Sequence, residues 1–123
     1  MEINKLTGKV IGCAIEVHKN LGPGLLEGAY EQCLAYELRK EKIPFEKQKP
    51  LPIKYKEVHL DCGYRLDFLV DNRLILELKA LDAILPVHKA QVISYLKLSN
   101  VTHGLLINFN VPILKDGIQR FVL

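Results

Sequence analysis

Apolar residues recur at helical spacing through the first third of the chain. Between about Thr7 and Asn20 they repeat every three or four positions, which predicts a helix with Thr7 as its N-cap. A Gly-Pro-Gly turn at 22–24 ends this segment. A second helix is predicted from about Leu25 to Lys42, because apolar side chains again share one stripe and basic residues lie in the last turns.

The pattern changes to that of strands after residue 44. Phe45–Lys49 and Ile53–Val58 alternate lysine with other residues and are separated by prolines, which is typical of an exposed strand. Tyr64–Val70 and Leu74–Lys79 are apolar on both faces. This second pattern predicts central strands of a sheet that is covered by helices.

The remaining elements complete an α/β pattern. Pro86 fits the first turn of a third helix that runs to about Leu98, and the strands Val101–Phe109 and Gly117–Leu123 follow it. The order α-α-β-β-β-α-β-β predicts a mixed β-sheet flanked by helices. A length of 123 residues suits one domain, residues 1–123.

Composition excludes several classes of protein. Hydrophobic residues make up 49% and charged residues 25% of the chain, which argues against disorder. No apolar run approaches the ~18–20 residues that span a bilayer, and no signal peptide is expected. P-loop, dinucleotide and Gly-x-Ser-x-Gly motifs are absent, so no nucleotide cofactor is expected. Cys13, Cys33 and Cys62 lie far apart, which favours reduced thiols and a cytoplasmic location.

Positive charge is concentrated in one segment, although the net charge is only +3. From Arg39 to Lys56 there are seven basic and two acidic residues, a local charge of +5, which leaves −2 for the rest of the chain. Such a sector suits a polyanionic partner, although an ordinary solvated surface is the simpler explanation of the charge alone. The candidate nucleic-acid contacts are Lys47, Lys49, Lys54 and Lys56, together with Arg65.

Charged residues interrupt both central strands. Asp67 lies among bulky apolar residues in the first, and Glu77 and Lys79 lie in the second. Burying an unpaired charge costs several kcal/mol, so these groups need partners, a metal or an opening to water. Because successive side chains of a strand point to opposite faces, Glu77 and Lys79 lie on one face.

The turn between these strands decides whether Asp67 lies beside Glu77. A two-residue turn would send the two acids to opposite faces, whereas a three-residue turn at Asp71–Arg73 pairs Val70 with Leu74 and sets the acids opposite each other. Two adjacent carboxylates are destabilising unless a cation bridges them. We predict the three-residue turn.

Several motifs resemble those of one nuclease superfamily. Asp67, nine residues and then Glu77-Leu78-Lys79 resemble the D-(x)n-E-x-K signature of PD-(D/E)XK nucleases. Gly24–Tyr30 is similar to the GxxExxY segment that names a small bacterial family of this superfamily, and Gln91–Tyr95 resembles the QxxxY motif of its RecB-like members. The resemblance covers about Gly22–Asn110 and implies a restriction-endonuclease-like fold.

The resemblance implies a nuclease that depends on Mg²⁺ or Mn²⁺ and acts on nucleic acid, with DNA as the expected substrate. It implies that Asp67, Glu77 and the backbone carbonyl of Leu78 bind the metal, since hard oxygen ligands suit these ions. Glu27 would serve a second metal or a bridging water. Glu31, one turn further along the helix, is the alternative if the register differs.

The same resemblance assigns the remaining catalytic residues. Lys79 would position the attacking water or stabilise charge in the transition state, unless it merely pairs with Glu77. Gln91 and Tyr95 would face the same cleft and position the water or a phosphate oxygen. Arg65 either forms a salt bridge with Asp67, two residues further along the same strand, or contacts phosphate. Three scattered cysteines cannot supply the four ligands of an iron–sulfur cluster.

A non-catalytic interaction module of the same fold is the alternative function. The short chain leaves almost no room for the extra elements with which such nucleases grip their substrate. A homodimer would add the missing surface, and the apolar end Phe121–Leu123 is a candidate seam. The intact set of acids and lysine argues against simple loss of catalysis.

Overall fold

The computed structural model describes residues 1–123 and contains three α-helices and seven β-strands. A short 3-10 helix, Leu114–Gly117, precedes the last strand. None of the helices combines the length and the hydrophobicity that crossing a lipid bilayer requires. The elements are α1 (Ile3–Leu21), α2 (Glu27–Lys40), β1 (Phe45–Pro50), β2 (Ile53–Tyr55), β3 (Val58–Leu60), β4 (Arg65–Val70), β5 (Leu74–Lys79), α3 (Pro86–Ser99), β6 (His103–Asn108) and β7 (Ile118–Val122).

Five strands form one mixed sheet in the order β1-β4-β5-β6-β7. Strands β5 and β6 are parallel and are joined by α3, whereas the other neighbours are antiparallel. The predicted mixed sheet flanked by helices is therefore confirmed, as are the two strands that follow the third helix.

Helices cover both faces of this sheet. Tyr30 on α2 belongs to a large hydrophobic cluster that packs α1 and α2 against one face, together with Phe68 and Leu76. Val92 on α3 belongs to a smaller cluster on the other face, together with Ile75. Adjacent residues of β5 thus enter opposite clusters, which explains why this strand is apolar on both faces.

The predicted three-residue turn between β4 and β5 is confirmed. Val70 pairs with Leu74 across the turn Asp71–Arg73, and the same register continues towards the other end of both strands. This register brings Asp67 opposite Glu77.

The predicted N-cap of the first helix is wrong. Helix α1 begins at Ile3, and the Glu2 side chain caps it by accepting hydrogen bonds from two backbone N–H groups of the first turn. Thr7 lies inside the helix, where its hydroxyl donates to the carbonyl oxygen of Ile3 at 2.9 Å. A hydroxyl that bonds to the preceding turn is compatible with a helix interior, so it does not mark the first residue.

The prediction of a strand from Ile53 to Val58 is also wrong. The chain reverses at Lys56, which has a left-handed φ of +54°, and Tyr55 pairs with Val58 in a separate two-stranded sheet. We call residues 51–64 the hairpin arm. The arm leaves the main sheet after β1 and returns at Arg65, so it extends from the end of the sheet where Asp67 lies.

Candidate active site

The acidic residues of β4 and β5 meet where these strands separate. Regular pairing ends at Phe68 and Leu76. Beyond it, the backbone N–H of Asp67 donates to Glu77 Oε1 at 3.3 Å, and the backbone N–H of Leu78 donates to Asp67 Oδ2 at 2.8 Å. Each carboxylate therefore replaces part of the backbone ladder and is held by the opposite strand.

Helix α2 brings two more carboxylates to this point. Glu27 and Glu31 line a small cavity of about 60 Å³ together with Gln48, Asp67 and Leu78. Glu31 accepts a hydrogen bond from the Gln48 side chain, whereas the Glu27 carboxylate forms no hydrogen bond or ion pair. Glu27 and Glu31, the two candidates for the helix carboxylate of the site, thus both lie beside Asp67. Of these two, Glu27 is the one whose carboxylate is free.

Burial and crowding raise the pKa values of these acids. Glu77 is only 4% exposed, and burial followed by the nearby Asp67 carboxylate raises its pKa to about 8. The pKa of Asp67 is also raised, chiefly by burial, against the opposing effect of the hydrogen bond from Leu78. Desolvation and then Asp67 raise the pKa of Glu27. A cation among these carboxylates would lower the energy of their ionised forms.

The donor set fits a hard divalent cation that retains water ligands. No group of three or more His, Cys, Asp or Glu side chains could by itself hold a metal ion. Mg²⁺ is usually bound by only one or two carboxylates and keeps several waters, and the cavity beside Asp67 and Leu78 has room for a few of them. The carboxylates of Asp67 and Glu77 therefore fit Mg²⁺ or Mn²⁺ better than a metal that needs a closed protein shell.

A chain of hydrogen bonds connects β5 with α3. Lys79 Nζ donates to Gln91 Oε1 at 3.2 Å, and Gln91 Nε2 donates to Tyr95 Oη at 3.2 Å. Lys79 belongs to neither of the two salt bridges in the protein, so pairing with Glu77 does not explain its presence. Burial, and next the Glu77 carboxylate, raises the pKa of Tyr95, so its hydroxyl is neutral at physiological pH.

The basic candidates lie on β1, on the hairpin arm and at the start of β4. Arg65 is exposed and forms no ion pair with Asp67. Lys49 is paired with Glu46 at 2.9 Å. The ammonium group of Lys56 lies 5.3 Å from the centre of the Tyr55 ring. The other two candidates are exposed and without an ion pair: Lys47 and Lys54.

Two residues of the site region were not identified from the sequence: Gln48 and Asn108. Gln48 contacts Glu31 and Asp67, and nothing in the Lys-Gln-Lys stretch distinguishes it from a solvated strand residue. Asn108 is 3% exposed and clamps the backbone of Leu81, just beyond Lys79, by accepting from its N–H and donating to its carbonyl, both at 3.0 Å. A polar residue at the end of an apolar strand was the available signal for Asn108.

Comparison with known proteins gives a match to one protein-family model. A family model described as the PD-(D/E)XK nuclease superfamily matches residues 4–121, almost the whole length of the chain. No curated protein and no solved structure gives a significant match. The matched span includes the central sheet up to residue 121 and the elements that carry the acidic cluster, the lysine and the glutamine. The chain therefore belongs to the PD-(D/E)XK nuclease superfamily.

Proposed function

We propose that the protein is a nuclease that uses Mg²⁺ or Mn²⁺ to hydrolyse phosphodiester bonds, with DNA as the expected substrate and one domain, residues 1–123, carrying the activity. Members of the superfamily are generally nucleases and typically use divalent metals. The observation that carries the proposal is the interlocked pair Asp67 and Glu77 beside an unpaired Lys79. The Gly24–Tyr30 segment at the start of α2 further favours the GxxExxY family.

The metal ligands follow from the positions of the oxygen atoms. Asp67, Glu77 and the backbone carbonyl of Leu78 would hold the ion. Glu27, whose carboxylate is free, would serve a second ion or a water that bridges to it. The bound ion would supply an activated water and stabilise negative charge on the phosphate.

Lys79 has the arrangement expected of an electrostatic catalyst. Gln91 holds its ammonium group by a neutral hydrogen bond, so the positive charge is available to substrate. We assign to Lys79 the orientation of the attacking water and the stabilisation of charge as the water oxygen bonds to phosphorus and the bond to the leaving oxygen breaks. The proton released by the water and the proton taken up by the leaving oxygen exchange with solvent. Tyr95 keeps Gln91 in place.

The substrate would lie along β1 and the hairpin arm. Lys47 on β1, Lys54 on the hairpin arm and Arg65 at the start of β4 are exposed cations, and Lys49 and Lys56 add charge to the same sector. Contacts of this kind follow the phosphate backbone and weaken as salt increases.

The remaining parts of the proposal are a homodimer and a cytoplasmic location. Strand β7 is an edge of the sheet, and its apolar end is open, with Val122 73% and Leu123 53% exposed. An exposed apolar edge favours pairing with a second copy. Burial raises the pKa of the Cys13 thiol to about 11, as befits a reduced structural cysteine.

A cleavage assay tests the nuclease activity. Linear, circular, single-stranded and double-stranded DNA and RNA are incubated with Mg²⁺ or Mn²⁺, with a chelator as one control. The variant Lys79→Ala should be inactive. The matched control is Lys5→Ala, which should leave cleavage unchanged. Lys5 is exposed and lies two residues after Ile3, and Ile3 lines a cavity with Asn72 at the other end of the sheet.

The outcomes distinguish the two functions. Cleavage that requires the metal and Lys79 would establish the nuclease, and activity on circular DNA would show that no end is needed. Binding of Mn²⁺ without cleavage of any substrate would mean that a partner or a particular substrate is required. A protein that neither cleaves nor binds Mn²⁺ would contradict the nuclease and favour an interaction module.

A further inference from the structure

Gln48 has a backbone conformation that is unusual for its place in the fold. It lies within β1, between the regular pairs Lys47–Phe68 and Lys49–Leu66, yet its φ is +50°. Left-handed backbone is disfavoured for residues with a side chain, and in a strand it interrupts the ladder. Such outliers persist where the surroundings compensate for them and are concentrated at functional sites.

The left-handed backbone determines which side of the sheet Gln48 serves. Phe45 packs with Phe68 against the α1–α2 cluster, with ring centres 5.5 Å apart. Strict alternation from Phe45 would send the side chain of Gln48 to the opposite face, which α3 covers. Its amide instead reaches Glu31 on α2. The conformation thus redirects the side chain towards the acidic cavity.

The Gln48 amide lies between two carboxylates. Its nitrogen donates to Glu31 Oε1 through a short hydrogen bond and to Asp67 Oδ1 through a longer one of 3.4 Å. An amide NH₂ group has two donors, so it can serve both acceptors. Because it is neutral, it separates the two acids without neutralising them, unlike a lysine.

We propose that Gln48 is a positioning residue of the metal site: it holds the Glu31 carboxylate in place and orients Asp67, leaving Glu27 as the helix carboxylate that faces the metal. This inference rests on the metal-dependent function proposed above. Without Gln48, the Glu31 carboxylate is no longer held apart from Asp67, and its repulsion turns Asp67 away from the position in which it would bind the ion. Partners that orient metal ligands commonly change metal affinity by about 10–100-fold when they are removed.

Substitution by glycine or asparagine distinguishes the role of the Gln48 side chain from that of its left-handed backbone. Gln48→Gly removes the side chain and suits the left-handed conformation, and Gln48→Asn tolerates that conformation with a side chain too short to bridge both acids. The matched control is Asn72→Gly, which relieves a left-handed residue, φ +56°, in the turn at the other end of β4 and β5. Each variant is unfolded thermally in chelator, titrated with Mn²⁺ by calorimetry and assayed for cleavage.

We expect all three variants to unfold at or above the wild-type temperature in chelator. Gln48→Gly and Gln48→Asn should bind Mn²⁺ about tenfold more weakly, whereas Asn72→Gly should remain within about twofold of wild type. Adding Glu31→Gln to Gln48→Gly should restore most of the lost affinity, because the released carboxylate is then absent. If Gln48 were merely structural, Gln48→Gly would lower the unfolding temperature in chelator, and adding Glu31→Gln would not restore Mn²⁺ affinity.

Several results would overturn the proposal. Wild-type Mn²⁺ affinity in a folded Gln48→Gly variant would show that the bridge does not position the site. Loss of binding in Glu31→Gln alone would identify Glu31 as a ligand instead. If the wild type cleaves and binds Mn²⁺ while the Gln48 variants match it, only this inference fails. If the wild type binds no Mn²⁺, the proposed metal-dependent function fails with it.

Discussion

Replacing Glu77 with glutamine should stabilise the metal-free protein at alkaline pH while abolishing cleavage. In the folded state, burial beside Asp67 raises the pKa of Glu77 from 4.5 to about 8. The folded protein therefore retains a proton that the unfolded chain has released between these pH values, so stability falls as pH rises through this window. At about 1.4 kcal/mol per pH unit, the penalty approaches about 5 kcal/mol above pH 8 and vanishes below about pH 4.5.

The magnitude is large compared with the stability of a small protein, about 5–15 kcal/mol in total. In the wild type, the backbone N–H of Asp67 donates to Glu77 Oε1 at 3.3 Å. Glutamine has nearly the same shape as glutamate and keeps an oxygen that can accept this hydrogen bond, but it carries no charge. We therefore expect Glu77→Gln to gain on the order of 3–5 kcal/mol over wild type at pH 9 and almost nothing at pH 4.5.

Urea unfolding in chelator at a series of pH values measures this difference. The free energy of unfolding of the wild type should fall with pH more steeply than that of Glu77→Gln, and Mg²⁺ should restore stability only to the wild type. Glu57→Gln, at the exposed turn of the hairpin arm, is the matched control and should follow the wild type. Parallel pH profiles for wild type and Glu77→Gln would refute the proposed cost of burying this carboxylate. Normal cleavage by Glu77→Gln would refute its role as a ligand.

Three further substitutions test other parts of the structure. Gly117→Ala would place a Cβ 2.2 Å from the Asn108 carbonyl oxygen, and urea unfolding should show a loss of about 1–3 kcal/mol; unchanged stability would mean that this close approach is not required. Tyr95→Phe removes the hydroxyl that supports Gln91, so steady-state cleavage should show kcat reduced by about 3–10-fold at unchanged KM, and a rise in KM alone would instead indicate substrate contact. Lys54→Ala should reduce the salt dependence of DNA binding by about one unit of slope, and an identical slope would remove Lys54 from the interface.

The central strands were the most predictable part of the fold. Strand β5 has the predicted limits, Leu74–Lys79, because a strand buried on both faces leaves a continuous apolar run. The register followed from the expectation that a cation bridges Asp67 and Glu77, which requires both acids on the same side, and the observed turn Asp71–Arg73 agrees with it. Strong burial therefore made both the limits of the strand and its pairing predictable from the sequence.

The exposed segments were less predictable, because no burial pattern constrains them. Lysines in Ile53–Val58 suggested one strand, but Lys56 forms a turn with positive φ that any polar residue can adopt at some cost. Gln48 was missed for a related reason, since its role depends on contacts with Glu31 and Asp67 that lie 17 and 19 residues away in the sequence. The functional assignments of the site residues stay predictions until the assays above are made.

The β4–β5 hairpin has a consequence for how the protein folds and for how such sites are inherited. The thirteen residues from Asp67 to Lys79 contain both acids and the lysine, and closing a loop as short as Asp71–Arg73 costs little entropy. We expect this hairpin to form early, so that destabilising substitutions within it slow refolding, whereas those in β7 mainly speed unfolding. A single recombination event can transfer this contiguous segment with both acids and the lysine, but the helices of the recipient must then supply the counterparts of Glu27 and Gln91.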